Sequence, residues 1–175
     1  IINFIKNNIC IYYGKGGGIL PVTIHNNKLY FLFGLDRDGW SDFGGSKEGN
    51  ETPFQTAMRE GCEELNGFLN CKKLPSYVKK HLILELESPT YVTQLFYIPY
   101  NKYIEEYFNN NSMIIRERVP EIVRLNGFFE KSKIKWFPLS SIKKNKSNFR
   151  RFYQLVVDLI VKHKNEKNNN IKKYI

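Results

Sequence analysis

Residues 45-GSKEGNETPFQTAMREGCEELNG-67 run from a glycine loop into a helix start and on to a cluster of acids. Thr52 offers a capping hydroxyl, Pro53 stands at the first helical position and Gln55 at the third, which is the pattern of a capping box. A helix from Pro53 to Leu65 follows. At 100° per residue, Phe54, Met58, Cys62 and Leu65 fall on one face, and Glu60, Glu63 and Glu64 share the other. Like charges three and four residues apart repel, and the last turn of a helix is the wrong end of its dipole for anions. The cluster therefore calls for a cation. Oxygen-rich donors suit Mg²⁺ or Mn²⁺, which would bridge to phosphates and activate a water molecule. The plainer alternative is a solvated acidic face.

Outward from this segment the chain alternates strand and helix signals. Residues 19–24 (ILPVTI) and 29–35 (LYFLFGL) flank His25-Asn26-Asn27-Lys28 and read as a hairpin. Asp38-Gly39 marks a turn before Trp40-Ser41-Asp42-Phe43-Gly44-Gly45. Further strands are expected at 82–87, 91–98 and 133–139, giving a mixed sheet. Residues 101–125 read as two short helical pieces, broken at Asn109 to Ser112 and again by Pro120. A final helix over 147–164 carries Phe149, Phe152, Tyr153, Val156, Leu159 and Ile160 at helical spacing, with Ser147 or Asn148 as its cap. Gly14-Lys15-Gly16-Gly17-Gly18 lacks the spacing of a phosphate-binding loop and reads as a flexible turn. Trp40, Phe43, Tyr97 and Trp136 are candidates either for the core or for stacking on a base.

With 175 residues, 42% hydrophobic and 25% charged, one domain is expected over 1–164. A helical insertion would lie at about 101–125, and 165–175 would form a basic, frayed tail. No apolar run approaches the roughly 20 residues a membrane span needs. Cys10, Cys62 and Cys71 form no CxxC pair and are joined only by His25, His81 and His163, so neither a disulfide scaffold nor a zinc site is indicated. This usage, with no secretory signal pattern, predicts an intracellular, cytoplasmic protein. The start at Ile1-Ile2, without methionine, predicts residues upstream. The net charge of +10 is uneven: residues 131–175 hold 13 basic and 2 acidic residues. Lys143, Lys144, Lys146, Arg150 and Arg151 form the densest basic run, which could meet RNA or another polyanion, or simply keep that face wet.

The spacing of Gly45, five residues, Glu51, seven residues, Arg59-Glu60, two residues and Glu63-Glu64 resembles the Nudix box. Six fixed positions match in register, a coincidence expected in roughly one in a hundred thousand chains of this length. Gly61, Asn66 and Gly67 depart from the pattern where aliphatic, glycine and aliphatic residues are usual. The resemblance implies an α/β/α sandwich with a mixed sheet and a Mg²⁺-dependent hydrolase, Mn²⁺ being an alternative metal, that cleaves the diphosphate linkage of nucleoside diphosphate derivatives. It implies that Glu60, Glu63 and Glu64 coordinate metal with the backbone carbonyl of Gly45, and that Gly44 allows close approach. Glu51 and Arg59 would pair and orient Glu60, unless they are an ordinary surface ion pair. Glu130 is the leading candidate for a water-orienting base or further ligand, and Glu121 the second. Two other readings stay open: an RNA 5′-cap decapping hydrolase using the basic C-terminal region, and a catalytically silent nucleotide- or RNA-binding module.

Overall fold

The structure, a computed structural model, describes residues 14–124 and 129–165; Cys10 and the basic tail beyond 165 lie outside them. Strand β1 (Gly16–His25) turns through Asn26 and Asn27 into β2 (Lys28–Asp36). Both asparagines have positive φ, +48° and +58°, which short polar side chains tolerate and which matches the twist of a tight hairpin. Two short strands, β3 (Gly39–Ser41) and β4 (Phe43–Gly45), lead to helix α1 (Pro53–Glu64) and then α2 (Leu74–His81). Next come β5 (Leu82–Glu87), β6 (Tyr91–Tyr97), α3 (Tyr103–Arg118), β7 (Lys133–Pro138), the single turn α4 (Leu139–Ile142) and α5 (Gln154–Asn165). The sheet runs β3-β2-β1-β6-β5, with β4 paired to β1 and β7 to β2; among the described strands β1 and β6 pair in parallel and the other pairs are antiparallel, so it is mixed.

Alternation along the strands divides the core in two. Leu20, Val22, Phe31 and Phe33 face Tyr153, Val156, Val157 and Ile160, whereas Ile19 and Leu32 face Ala57, Met58, Leu74, Val78 and Phe108. Helix α5 therefore covers one side of the sheet and α1, α2 and α3 the other. This is the expected α/β/α sandwich.

Several local expectations are corrected. Gly16, Gly17 and Gly18 are not a turn but the buried start of the central strand, paired to Tyr91, Val92 and Thr93. Glycine is required there because a Cβ on Gly17 would run into the carbonyl of Pro53 and lie 3.2 Å from the Ala57 nitrogen. The expected face packs as read, with Met58 and Leu65 buried and Phe54 and Cys62 partly buried against the core, but the close approach widens it to Pro53, Thr56, Ala57, Gly61 and Glu64. Gly61 is explained by it, since a Cβ would overlap Ile19 and sit 2.6 Å from its Cγ1. Gly61→Val is expected to lower stability by about 1–3 kcal/mol through overpacking, read as a shift in urea midpoint without change in slope.

The break expected at Asn109 to Ser112 is absent, and α3 is continuous until just before Pro120. Its polar residues are used by the far edge of β7. The Asn109 side chain accepts from the Ile134 N–H at 2.7 Å and donates to the Ile134 carbonyl at 3.1 Å, and the Ser112 hydroxyl donates to the Lys131 carbonyl. An uncovered strand edge is thereby satisfied by a helix. The final helix begins only at Gln154. The Arg150 N–H donates to the Trp40 carbonyl, which holds Phe149 and Arg150 extended, and a 3₁₀ turn at Arg151–Tyr153 intervenes. Ser147 and Asn148 accordingly do not cap it.

Cys62 and Cys71 form a disulfide, with Cα atoms 5.1 Å apart. The sequence reading missed it because the pair meets only once the chain folds back through Asn66, Gly67 and Asn70, all at positive φ. Cysteine usage is therefore no longer an argument for a reducing compartment. No helix among the described residues is long and apolar enough to cross a membrane.

Candidate active site

The end of α1 is brought against β4 because β4 and α1 both pack on β1. The capping box forms as expected: Thr52 Oγ1 accepts from the Gln55 N–H at 3.2 Å and Gln55 Oε1 from the Thr52 N–H at 2.8 Å. At the other end, the Gly67 N–H reaches the Cys62 carbonyl and the Asn66 N–H the Glu63 carbonyl, each at 2.9 Å, with Asn66 at φ +52°. This is a Schellman closure with asparagine in the usual glycine position. The substitution has a use, since Asn66 Oδ1 accepts the Phe129 N–H at 2.7 Å and Arg116 Nη2 donates to the carbonyls of Phe129 and Glu130. The loop bearing Glu130 is tied to two helices.

A polar cleft of about 380 Å³ results, lined by Gly44, Gly45, Ser46, Glu48, Arg59, Glu60, Glu63, Glu64, Glu130 and Arg150. Arg59 organises its inner side. Its Nε donates to Glu51 Oε1 at 2.9 Å, its Nη2 to Glu51 Oε2 and the Ser46 carbonyl at 3.1 Å, and its Nη1 to Glu60 at 2.9 Å and Glu63 at 3.3 Å. The Glu51–Arg59 pair thus ties loop to helix with two parallel bonds. Arg59 holds the Glu51 carboxyl down at about 2, and the pair raises the Arg59 guanidinium. A depressed folded value contributes stability above the usual value of 4.5 that is lost as pH falls towards 2. Glu51→Gln should therefore flatten the acid limb of a stability–pH curve between those values, and an unchanged limb would refute the pairing.

The acidic side chains behave differently from a solvated row. Burial pushes Glu60 and Glu63 up; Arg59 opposes this, and Glu130 adds a smaller push on both. Glu64, expected to be exposed, is only 3% accessible. Its Oε2 accepts the Gly44 N–H at 2.6 Å and its Oε1 lies 3.2 Å from Lys131 Nζ, yet burial raises it to about 8. Lys131 is itself fully buried and also meets Ser41 Oγ at 2.8 Å and Asp36 at 3.3 Å. Asp36 continues the chain of charges to Arg150 Nη1 at 2.9 Å. Beside it, buried Asp42 accepts from the Tyr91 hydroxyl at 2.9 Å and the Thr93 hydroxyl at 2.8 Å, and desolvation pushes it up to about 7. Lys131, Asp36 and Asp42 were not singled out from the sequence. Their partners lie in distant segments, and the one available signal was a lysine, Lys131, next to a strand that begins two residues later.

Among the described residues no three His, Cys, Asp or Glu side chains converge as a finished metal cage. The donor chemistry nevertheless fits Mg²⁺, which usually takes one or two carboxylates together with substrate phosphates. Several carboxylates share one cleft, and burial raises Glu60, Glu63 and Glu64 against the pull of Arg59 and Lys131, so a further cation beside them would favour their charged forms. Glycine at 45 is imposed by the same crowding, since a Cβ there would collide with the Glu60 carboxylate.

Glu121 is exposed and does not line the cleft. Of the basic run, Lys143 and Lys144 are exposed, Lys146 pairs with Asp158, and only Arg150 lines the cleft. Arg151 lies just outside, with Asp38, Arg150 and Phe152, on an open groove of about 690 Å³. The four aromatics considered for base stacking instead serve packing: Phe43 and Trp136 are buried, and Trp40 and Tyr97 lie partly buried against the core.

No family model matches the chain. Solved structures similar to it include a bifunctional NMN adenylyltransferase/ADP-ribose pyrophosphatase from Francisella tularensis in complex with AMP and a manganese ion, with TM-score 0.50 and 17% identity over 85% of this chain and 41% of that one. An Ap4A hydrolase from C. elegans aligns with TM-score 0.48 and 16% identity over 83% and 91% of the two chains. A Nudix-family hydrolase from Clostridium perfringens aligns with TM-score 0.41 and 17% identity over 85% and 96%. By sequence, an uncharacterized protein of Acanthamoeba polyphaga mimivirus is 43% identical over 58 residues, which is 29% of this chain and 19% of that protein. The chain thus spans less than half of the Francisella protein and about a fifth of the viral one.

Proposed function

Because the chain has the Nudix fold, we propose that it is a Mg²⁺-dependent hydrolase that cleaves the diphosphate linkage of a free nucleoside diphosphate derivative. The observation that carries this reading is the meeting of Glu60, Glu63, Glu64 and Glu130 with the Gly44–Gly45 backbone and two arginines in one cleft. Glu60, Glu63 and Glu64, with the Gly45 carbonyl, are the groups that would hold the metal, and Mn²⁺ suits the same oxygen donors. When bound, Mg²⁺ supplies positive charge for the phosphates and acidifies a water molecule.

The chain's own residues then have distinct tasks. Arg59, fixed by Glu51, orients Glu60 and Glu63. Glu130 takes the proton as the water oxygen bonds to phosphorus, and the bond from phosphorus to the bridging oxygen breaks with its electron pair passing to the departing phosphate. Arg150, which also lines the cleft, offsets charge on the phosphates. The test is product analysis with Mg²⁺ on a panel of free nucleotides and capped RNA, with Glu63→Gln as control. A nucleoside monophosphate released from a free nucleotide only with metal is the expected result. No product from any substrate would overturn it in favour of a binding module without turnover.

One observation favours a second reading, an RNA 5′-cap decapping hydrolase. The groove of Asp38, Arg150, Arg151 and Phe152 shares Arg150 with the cleft and offers two guanidinium groups to a polyanion. Release of m⁷GDP from capped RNA with free nucleotides left intact would select this reading. RNA affinity should then fall steeply with salt and weaken when Lys143, Lys144, Lys146, Arg150 and Arg151 are neutralised.

A further inference from the structure

Between α1 and α2 the chain folds back through a loop in which Asn66, Gly67 and Asn70 take positive φ of +52°, +72° and +57°. Glycine adopts this region freely, but the two asparagines carry a conformational cost that other contacts must offset. Side-chain packing contributes little to that, since Phe68 is 39% exposed and Leu69 only partly buried. The Cys62–Cys71 disulfide spans this loop and ties the last turn of α1 to the approach of α2. Its two ends differ in access: Cys71 is exposed, whereas Cys62 is partly buried against the core. Neither cysteine lines the acidic cleft, so a reagent can reach the bond without entering it.

The same loop holds the segment that carries Glu130. Asn66 Oδ1 accepts the Phe129 N–H at 2.7 Å, and Phe129 itself stands at φ +63°, a conformation that a bulky aromatic residue keeps only under constraint. Arg116 supplies the rest of that constraint through the carbonyls of Phe129 and Glu130. Loosening Asn66 therefore frees one of the two anchors of Glu130.

We propose that the Cys62–Cys71 disulfide is a redox switch, which keeps Glu130 at the acidic cleft while closed and lets it leave when a dithiol reductant opens the bond. One thiolate of the dithiol attacks the exposed Cys71 Sγ, and the bond to Cys62 Sγ breaks with its electron pair leaving on Cys62, which takes a proton. The second thiol attacks the reductant's own sulfur in the mixed disulfide and releases Cys71. Two electrons and two protons thus pass to the protein's thiols, and the dithiol ends as a cyclic disulfide. That opening slows hydrolysis rests on the role proposed for Glu130; that it loosens the loop does not.

The test compares the full chain before and after dithiothreitol, in EDTA, by amide hydrogen exchange. Iodoacetamide should label Cys62 and Cys71 only after reduction, without denaturant. The Phe129 amide should then exchange roughly fivefold to tenfold faster, as for loss of one hydrogen bond, and reoxidation should restore it. Asn66→Ala should give the same acceleration with the disulfide intact. In Mg²⁺, reduction should lower turnover roughly tenfold through kcat. The double variant Cys62→Ser with Cys71→Ser should match the reduced protein and ignore the dithiol; thermal melting checks that it folds, and the parent with and without dithiol keeps the test decisive if it does not. A bond that opens only in denaturant, or reduction that leaves Phe129 exchange or existing turnover unchanged, would overturn the switch. Reversible loosening of Phe129 in a chain with no Mg²⁺-dependent product would uphold the control of the loop and remove the hydrolase reading instead.

Discussion

Glu64→Gln is expected to reduce Mg²⁺-dependent turnover by roughly 10³-fold or more, since a metal contributes several kcal/mol of charge stabilisation in the transition state and each 1.4 kcal/mol is a factor of ten. The variant should fold. Glutamine keeps an oxygen for the Gly44 N–H, and Glu64 is raised from 4.5 to about 8 by burial, so a neutral side chain suits the metal-free site at neutral pH. The sign of the pH effect follows from the same shift. A carboxyl raised in the folded state contributes stability that is complete below 4.5 and lost as pH rises through about 8. Without metal the parent should lose stability over that interval, and Glu64→Gln should lose less. Mg²⁺ should stabilise the parent increasingly with pH and the variant hardly at all. Thermal melts from pH 5 to 9, with and without Mg²⁺, together with product assays, measure all of this. Turnover retained within tenfold would remove Glu64 from the proposed ligand set.

Lys131→Met should destabilise the fold by about 3–5 kcal/mol at pH 9, where Glu64 is charged, because it removes the cation shared by two carboxylates and keeps the apolar bulk of the side chain. Lys131 has no exposure, so water does not substitute for the lost contact. Asp36 retains Arg150, and Glu64 retains only the Gly44 N–H. Glu64 can escape the penalty by taking a proton, so the loss should be smaller at pH 5 than at pH 9. The double variant Lys131→Met with Glu64→Gln should recover part of it. Urea midpoints at the two pH values are the measurement. A loss under about 1 kcal/mol, or one independent of pH, would show that Lys131 does not hold the acidic end of α1 in place.

Much of the site was legible because local chemistry fixes it. Thr52, Pro53 and Gln55 start a helix whatever lies around them, and from that start the spacing of Arg59, Glu60, Glu63 and Glu64 follows from the helical repeat. The hairpin at Asn26-Asn27 and the strand signals at 82–87 and 91–98 are local in the same sense, and the mixed sheet follows from them. The buried face of α1 is wider than its periodicity shows. Gly17 in β1 lets the helix backbone come so close that Gly61 and Glu64 are buried as well, while Phe54 and Cys62 are only partly buried against the core. Asn109 and Ser112 look like a helix break until the strand edge they satisfy is beside them.

The sequence by itself determined the capped helix, its row of acids and the alternation that makes an α/β sheet, all of which depend on residues within a few positions of one another. Only the tertiary structure decided that Glu64 is buried against Lys131, that Asn66 and Arg116 bring Glu130 to the cleft, and that Phe152 leaves the core face to stand beside Arg150. The first two join separate segments of the chain, and the third depends on the packing of Phe152 against Tyr91; burial, which sets both the charge state of an acid and the exposure of a ring, belongs to the packed chain rather than to any stretch of it.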